Sequence, residues 1–528
     1  MSAADPGVAA LAAAGLGLMQ AGQHEPAFKV LRQAVEINPG DAALWVHLGN
    51  ALIALGRADG ALLGLQQALA LDPNNWEAAC KSGLLLHQQG RVEEALARFD
   101  LCNVLRPDHA PTLYMRAVFL RELERYDEAL ADNMRAHALD PGNAETCNNI
   151  GYLLQLLGRY EEALPWYDRA LALTPAFVEA LGNKAVVLGK LLRLDEAFAA
   201  YRRARELAPD NAVAEWNLAL LQLLTGDFAA GWIGRDARWR VPSLPIVYPD
   251  FPAPLWLGES AIEGRTILIY GDEGLGDAIQ FARYVPMLAE RGARVILMVD
   301  AAAVSLLAGL ADVAQCIPKT TTPSPAFDLQ CPLSSLPRAF ATRLETIPAT
   351  VPYLPSPAAE RLRGWEARLG SHDRLRVGLV WSGSHTHSND ANRSIPLRLL
   401  TPLLDADATF VSLQKDPRES DQAVLSERPD ILDPTAALTD LRETAALISC
   451  LDLVISVDTG VAHLAGAFGR PTWILLPFAP DYRWLLDRGD SPWYPTVRLF
   501  RQDATRDWTG VIEKMRDELQ GLAARFQE

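Results

Sequence analysis

Two rhythms of apolar and polar positions divide the chain. Up to about residue 230 the apolar residues follow helical spacing in paired stretches, and the pair recurs every 34 residues. Small residues mark one column at Gly15, Gly49, Gly83, Ala117, Gly151, Ala185 and Ala219, and a second at Ala27, Ala61, Ala95, Ala129, Ala163, Ala197 and Gly231. A proline column runs through Pro39, Pro73, Pro107, Pro141, Pro175 and Pro209. Small side chains let two helices cross closely, and a proline cannot continue the second helix. From Arg265 onward the pattern changes to short apolar strand runs alternating with helices, which predicts parallel sheet wound in α/β fashion.

The 34-residue period with these columns resembles the tetratricopeptide (TPR) repeat, a helix–turn–helix unit. The resemblance implies an α-helical solenoid of about seven repeats over residues 1–240, whose stacked units share one core and form a concave face. Gly22, Gly56, Gly90, Gly158 and Gly226 fall in the turns, where a left-handed C-cap suits glycine. Asp41, Asn75, Asn143 and Asn211 follow the prolines and are placed to cap the next helix. Asn149, Asn183 and Asn217 form a further column on the inner helices. Their amides can clamp an extended peptide backbone in the groove, or simply hold neighbouring helices. The seventh unit lacks the closing proline and runs through Trp232 and Trp239 into a Pro-rich stretch. It reads as a cap followed by a stiff linker over 241–264.

In the α/β half, a strand over 266–270 leads into Gly271-Asp-Glu-Gly-Leu-Gly-Asp277 and a helix over 278–291. Further strands are expected over 294–299, 376–382, 409–413 and 453–457. Two α/β blocks, 265–357 and 358–528 with a terminal helix, fit either a GT-B glycosyltransferase or a pair of dinucleotide domains. Ile279 stands where the dinucleotide fingerprint needs a small residue. Asp277, opening a helix at the C-terminal edge of a sheet, is a candidate general base, with Gly276 beside it, or else a helix N-cap. The sharper signal is the strand ending in Asp458-Thr459-Gly460, with His463 one turn on. A hydroxyl and free amides at a helix start make an anion site suited to a diphosphate; read structurally, Asp458 caps the helix and His463 is a satisfied core histidine. Ser382 and Ser384 end another strand, Arg393 can neutralise a diphosphate without a metal, and Gln414 and Lys415 can contact the nucleotide. Asp405-Ala-Asp407 imitates a metal-binding triplet but falls in a helix-to-strand turn. There is no HExxH, Walker lysine or GxSxG elbow.

Composition narrows the partners. A formal charge of −16 over 528 residues argues against general binding to nucleic acid or to an anionic membrane. The six cysteines carry no CxxC pair and read as buried thiols in a reducing cytosol. Residues 8–22 are apolar but lack a preceding Lys or Arg and lie in register with the repeats, so they read as a first repeat helix rather than a signal peptide. No run approaches a membrane span. A cytoplasmic location is the expectation.

On Gly276-Asp277 after the first strand and Asp458-Thr459-Gly460-Val-Ala-His463, the region 265–502 resembles glycosyltransferase family 9, the ADP-heptose:lipopolysaccharide heptosyltransferases. That resemblance implies a GT-B fold, inverting and metal-independent transfer of a hexosyl or heptosyl group, and Asp277 as base. It also implies a basic residue on the diphosphate, for which Arg393 stands before Ser394-Ile395-Pro396 rather than an aromatic pair. Gly276-Asp-Ala-Ile-Gln-Phe-Ala-Arg-Tyr-Val-Pro286 and Leu476-Pro-Phe-Ala-Pro-Asp-Tyr-Arg-Trp484 resemble the TPR-bearing bacterial members, the second stretch offering Asp481, Arg483 and Trp484 to the cleft. The expected partners are therefore a nucleotide-diphosphate sugar as donor substrate, no separate cofactor, and a protein or glycan acceptor on the TPR groove. The alternative is a TPR scaffold whose transferase-like half has lost activity.

Overall fold

The computed structural model describes residues 6–322, 325–385 and 389–528. The chain forms two compact units, Met1–Leu207 and Ala208–Glu528.

The first unit is a solenoid of antiparallel helix pairs, beginning with Pro6–Gln20 and His24–Ile37 and ending with Val178–Lys190 and Leu194–Leu207. Each helix packs on the next. The small-residue columns have the expected cause: a Cβ on Gly15 would lie 2.6 Å from Leu31, and one on Gly151 would lie 2.8 Å from the Tyr167 ring. Asp41, Asn75 and Asn143 accept hydrogen bonds from the first-turn amides of Ala43, Ala78 and Thr146. The turn glycines Gly22, Gly56, Gly90 and Gly158 adopt φ of 69–74°, and where the column lacks glycine, Glu124 (58°) and Leu192 (53°) take the same left-handed conformation. The helix–turn–helix fold brings Cys80 and Cys102, 22 positions apart in sequence, face to face with their Cα atoms 6.1 Å apart.

The second unit opens with the helices Ala212–Leu224 and Phe228–Gly234 and the 3₁₀ turn Arg235–Arg240. Asn211 caps the first of these helices through the Ala214 amide. A four-stranded parallel sheet follows: β1 (Thr266–Tyr270), β2 (Arg294–Val299), β3 (Val313–Pro318) and β4 (Leu329–Pro332), in the order β3-β2-β1-β4. A five-stranded parallel sheet has β5 (Leu375–Val380), β6 (Ala408–Ser412), β7 (Leu453–Val457), β8 (Thr472–Leu476) and β9 (Val497–Arg501), in the order β6-β5-β7-β8-β9. The long helix Thr509–Gln527 buries Val511, Ile512, Met515, Leu519 and Ala523 against this second sheet.

One local expectation is corrected. The helix foreseen over 278–291 is Leu275–Phe281, a 3₁₀ turn Ala282–Tyr284, and a separate helix Val285–Glu290. Pro286 lacks the amide a continuous helix would need, so the chain restarts there. The Pro-rich stretch, expected as a stiff linker, also packs on the first sheet. Phe251 packs on Tyr270 and Phe327, and the Trp256 amide donates to the Gln330 carbonyl at the edge of the first sheet. No helix among the described residues is long and apolar enough to cross a membrane.

Candidate functional site

The strand ends of both sheets meet within the second unit. After β1 the chain turns through Gly271–Gly274, and Asp277 is the third residue of the following helix. It is therefore not the N-cap. Its Oδ2 accepts from the Gly274 amide at 3.2 Å, and its Oδ1 is held by Arg483 Nη2. That helix packs on the helix Gly460–Ala467 that follows β7. Glycine at 276 suits the close approach, because a Cβ there would sit 3.0 Å from His463 Cδ2.

On the β7 side, Asp458 does not cap the helix; Thr459 occupies the cap position, with its Oγ1 3.1 Å from Ser456 Oγ. The amides that open this helix have no partner within it, which leaves them to a ligand or solvent. His463 is buried at 5% exposure, with Nδ1 2.9 Å from Tyr494 Oη and its ring stacked on Trp484. Its Nε2 lies 3.9 Å from Asp458 Oδ1. Burial, reinforced by Arg483, pushes His463 down to about 3, so the ring is neutral at physiological pH. Burial also pushes the Asp277 carboxyl up to about 7, against the pull of Arg483, with Glu273 adding to the rise. Asp458 is raised to about 6, first by burial and then by Asp481. Two carboxyls thus titrate close to neutrality in one cleft, a condition suited to proton transfer.

A cavity of about 420 Å³ adjoins these groups and is lined by Leu275, which opens the helix after β1, and by Ser382, Ser384, Gln414, Lys415, Thr459 and Gly460 from the side of the second sheet. Apolar Val380, Leu413, Leu438, Leu441 and Leu464 form the rest of its wall. Gln414 braces the loop after β5: its Oε1 accepts from the amides of Trp381 (3.2 Å) and Ser382 (3.0 Å). The Ser382 hydroxyl is buried there without a partner among the described residues. Lys415 is exposed at the rim. Arg393 lies over Gly383 and donates from Nη1 to the Asp458 carbonyl at 3.0 Å, joining the β5 and β7 loops.

The structure thus brings Gly276, Asp277, Ser382, Ser384, Arg393, Gln414, Lys415, Asp458, Thr459, Gly460 and His463 into one region. The three asparagines of the inner-helix column are placed as follows. Asn149 is hydrogen-bonded to Tyr114, and Asn183 donates to Asn148 Oδ1 at 3.1 Å and opens on a hollow shared with Arg121, Tyr126, Tyr152 and Glu179. Asn217 lies on Ala212–Leu224 in the second unit.

Some residues at the site carried no signal in the chain. Arg235 holds Glu273 at 2.5 Å, and Arg238 holds Asp272 at 3.0 Å, with both arginine side chains at most 3% exposed. They arrive from the 3₁₀ turn, where the repeat columns have ended. The unusual pair of acids in a glycine turn was the available clue.

Family models for tetratricopeptide repeats match residues 18–81 and 144–177, and the model described as glycosyltransferase family 9 (heptosyltransferase) matches 416–475. The chain is a TPR-containing protein with a glycosyltransferase-9-like domain. The family 9 match takes in Asp458, Thr459, Gly460 and His463 and stops short of Asp277 and Arg393. Protein FlbA of Caulobacter vibrioides is 26% identical over 346 residues, covering 60% of this chain; the chain spans 56% of that relative's length. Among solved structures, YrrB, a TPR protein with an unusual peptide-binding site, is 24% identical with a TM-score of 0.33, covering 35% of this chain and 95% of its own. A tetratricopeptide repeat protein from Parabacteroides merdae is 17% identical with a TM-score of 0.38, covering 47% and 95%.

Proposed function

We propose that the protein is a cytoplasmic, inverting glycosyltransferase that uses a nucleotide-diphosphate sugar and needs no metal. The observation that carries this reading is the convergence of Asp277 with the Asp458–His463 helix start beside a cavity of about 420 Å³. The nucleotide lies in that cavity. Its diphosphate meets the Thr459 hydroxyl and the amides opening the Gly460–Ala467 helix, with the Arg393 cation beside them. The neutral His463 ring, with Nδ1 toward Tyr494, offers its Nε2–H on the cleft side. The acceptor hydroxyl attacks the anomeric carbon as the carbon–oxygen bond to the diphosphate breaks. Asp277 takes the hydroxyl proton, and the bond's electron pair leaves on the diphosphate oxygen. The donated group is a hexose or heptose. The solenoid presents the acceptor, a protein or glycan, and removing residues 1–207 is expected to weaken acceptor use more than donor binding.

The test is thermal-shift binding of a panel of nucleoside diphosphates and their sugars to the wild type and to Thr459→Ala/His463→Ala. Saturable stabilisation by one nucleotide, lost in the double variant, supports the donor site and names the base. No stabilisation of the folded protein by any of them rejects it in favour of a scaffold with an inactive transferase-like half.

A further inference from the structure

Arg483 is built into place. Its Nε donates to Gln280 Oε1 at 2.6 Å, its Nη1 to Asp481 Oδ1 at 2.7 Å, and its guanidinium lies over the Tyr482 ring. Gln280 is fully buried, and the Arg483 side chain is 12% exposed. With those two anchors made, the remaining nitrogen, Nη2, points at Asp277 Oδ1. The Gly274 amide holds the other carboxyl oxygen, so the carboxyl plane is fixed from both sides.

The charges facing Asp277 come from four elements. Glu273 precedes it on its own loop, and Arg235 comes from the 3₁₀ turn of the second unit. Asp481 and Arg483 come from the loop after β8, and on the fourth, the β7 loop and its helix, Asp458 and His463 interact with the same Asp481 and Arg483. Arg235 is engaged with Glu273, and His463 is neutral. That leaves Arg483 as the cation set directly against Asp277.

We infer that Arg483 is the positioning residue of the site, turning the Asp277 carboxylate toward the acceptor and favouring its charged form so that it can receive the acceptor's proton. The inference rests on the transferase reading above for the identity of the base, but the Arg483–Asp277 coupling is measurable without turnover. A base buried this deeply would otherwise hold its own proton at neutral pH.

The experiment uses the full chain with Arg483→Met, which keeps bulk and removes charge, and Arg483→Lys, which keeps charge and loses the fork. The pH profile of kcat/KM and donor Kd are measured for each. In Arg483→Met the acid limb should move up by a pH unit or more. Activity should fall tenfold or more at pH 7 and partly recover by pH 9, with donor Kd changed less than threefold. Arg483→Lys should hold the limb near its wild-type position while lowering kcat. A loss equal at pH 7 and pH 9 overturns the inference, as does a tenfold loss of donor binding, which would make Arg483 a diphosphate contact. In parallel, Tm is measured at pH 5 and pH 8 for wild type, Asp277→Asn, Arg483→Met and the double variant. Non-additivity at pH 8 that fades at pH 5 supports the coupling even where no turnover is found, an outcome that sinks only the transferase reading. Additive Tm changes at both pH values overturn the coupling itself.

Discussion

Replacing Arg238 with methionine tests whether the turn that carries Asp277 depends on the 3₁₀ turn at 235–240. Arg238 is 1% exposed; its Nε donates to Asp272 Oδ2 at 3.0 Å and its Nη2 to Ser335 Oγ at 2.7 Å. The Asp272 carboxylate is 2% exposed and otherwise keeps only the Ser334 amide (3.1 Å) and hydroxyl (2.6 Å). Methionine fills much of the volume and removes the cation, leaving a buried carboxylate unpaired at a cost of about 3–5 kcal/mol. At about 2 °C per kcal/mol for a large unit, the transition of the second unit should fall by about 6–10 °C at pH 8. Burial, with Glu273 adding, already raises the Asp272 carboxyl above its ordinary value while Arg238 opposes the rise. A raised folded-state value means that the protonated form is favoured on folding, a contribution present at low pH and lost as pH rises. Without Arg238 the value climbs further, so the deficit is largest at pH 8 and shrinks toward pH 5 as Asp272 takes a proton. Arg238→Met/Asp272→Asn should recover most of the loss. The assay is calorimetry of the full chain at the two pH values. A loss under about 1 kcal/mol, or one that neither shrinks at low pH nor is rescued by the double variant, would refute this account.

Three shorter predictions follow. Glu124→Gly should stabilise the solenoid by about 1 kcal/mol in urea unfolding, because glycine relieves a left-handed φ of 58°; no gain would mean that Glu124 is held there without strain. Asp458→Asn should gain stability over wild type at pH 8 and none near pH 4, since Asp458 rises from 3.8 to about 6 on folding and its ionisation then costs up to about 3 kcal/mol. A variant less stable than wild type at pH 8 would contradict that sign. Deletion of residues 1–207 should leave a folded second unit, whereas deletion of 1–240 should not, because it discards Trp232, Arg235 and Arg238; cooperative melting of both pieces would be the contrary result.

The solenoid was legible because its causes are local and repeat. A glycine or alanine at the helix crossing recurs every 34 residues, and an asparagine on a first-turn amide returns at multiples of that period, so the repeats corroborate one another. Strands β1, β2, β5, β6 and β7 were readable as buried apolar runs. Strand β3 was not, because Ala314 and Gln315 are exposed and break the run. Strand β4 is four residues long and ends in proline, which reads as loop. At the site, Asp277 and the Asp458–His463 stretch could be picked out because acids and hydroxyls between a strand end and a helix start lie at the mouth of a parallel sheet, although the same pattern also caps helices. What the chain could not disclose was how those residues are spent. Gln414 holds two loop amides with one oxygen, and Arg393 reaches the Asp458 carbonyl, both through pairings far apart in sequence.

The α/β half therefore begins earlier than its strand pattern. Asp272 and Glu273 would place two buried negative charges within five residues of Asp277, and like charges raise a carboxyl's affinity for its proton. Arg238 and Arg235 neutralise them from a segment that the 34-residue period would assign to the repeats. With both arginines in place, Glu273 stays ionised and the tuning of Asp277 falls to Arg483. Without them, Asp277 would face two uncompensated carboxylates and hold its proton more tightly at neutral pH. The helices Ala212–Leu224 and Phe228–Gly234 carry this turn and pack against the sheet half through Trp232 on Phe281, Tyr482 and Trp493. They fix the two cations at the glycine loop, so the electrostatics of the site are set by a piece of repeat-like sequence that folds as part of the second unit.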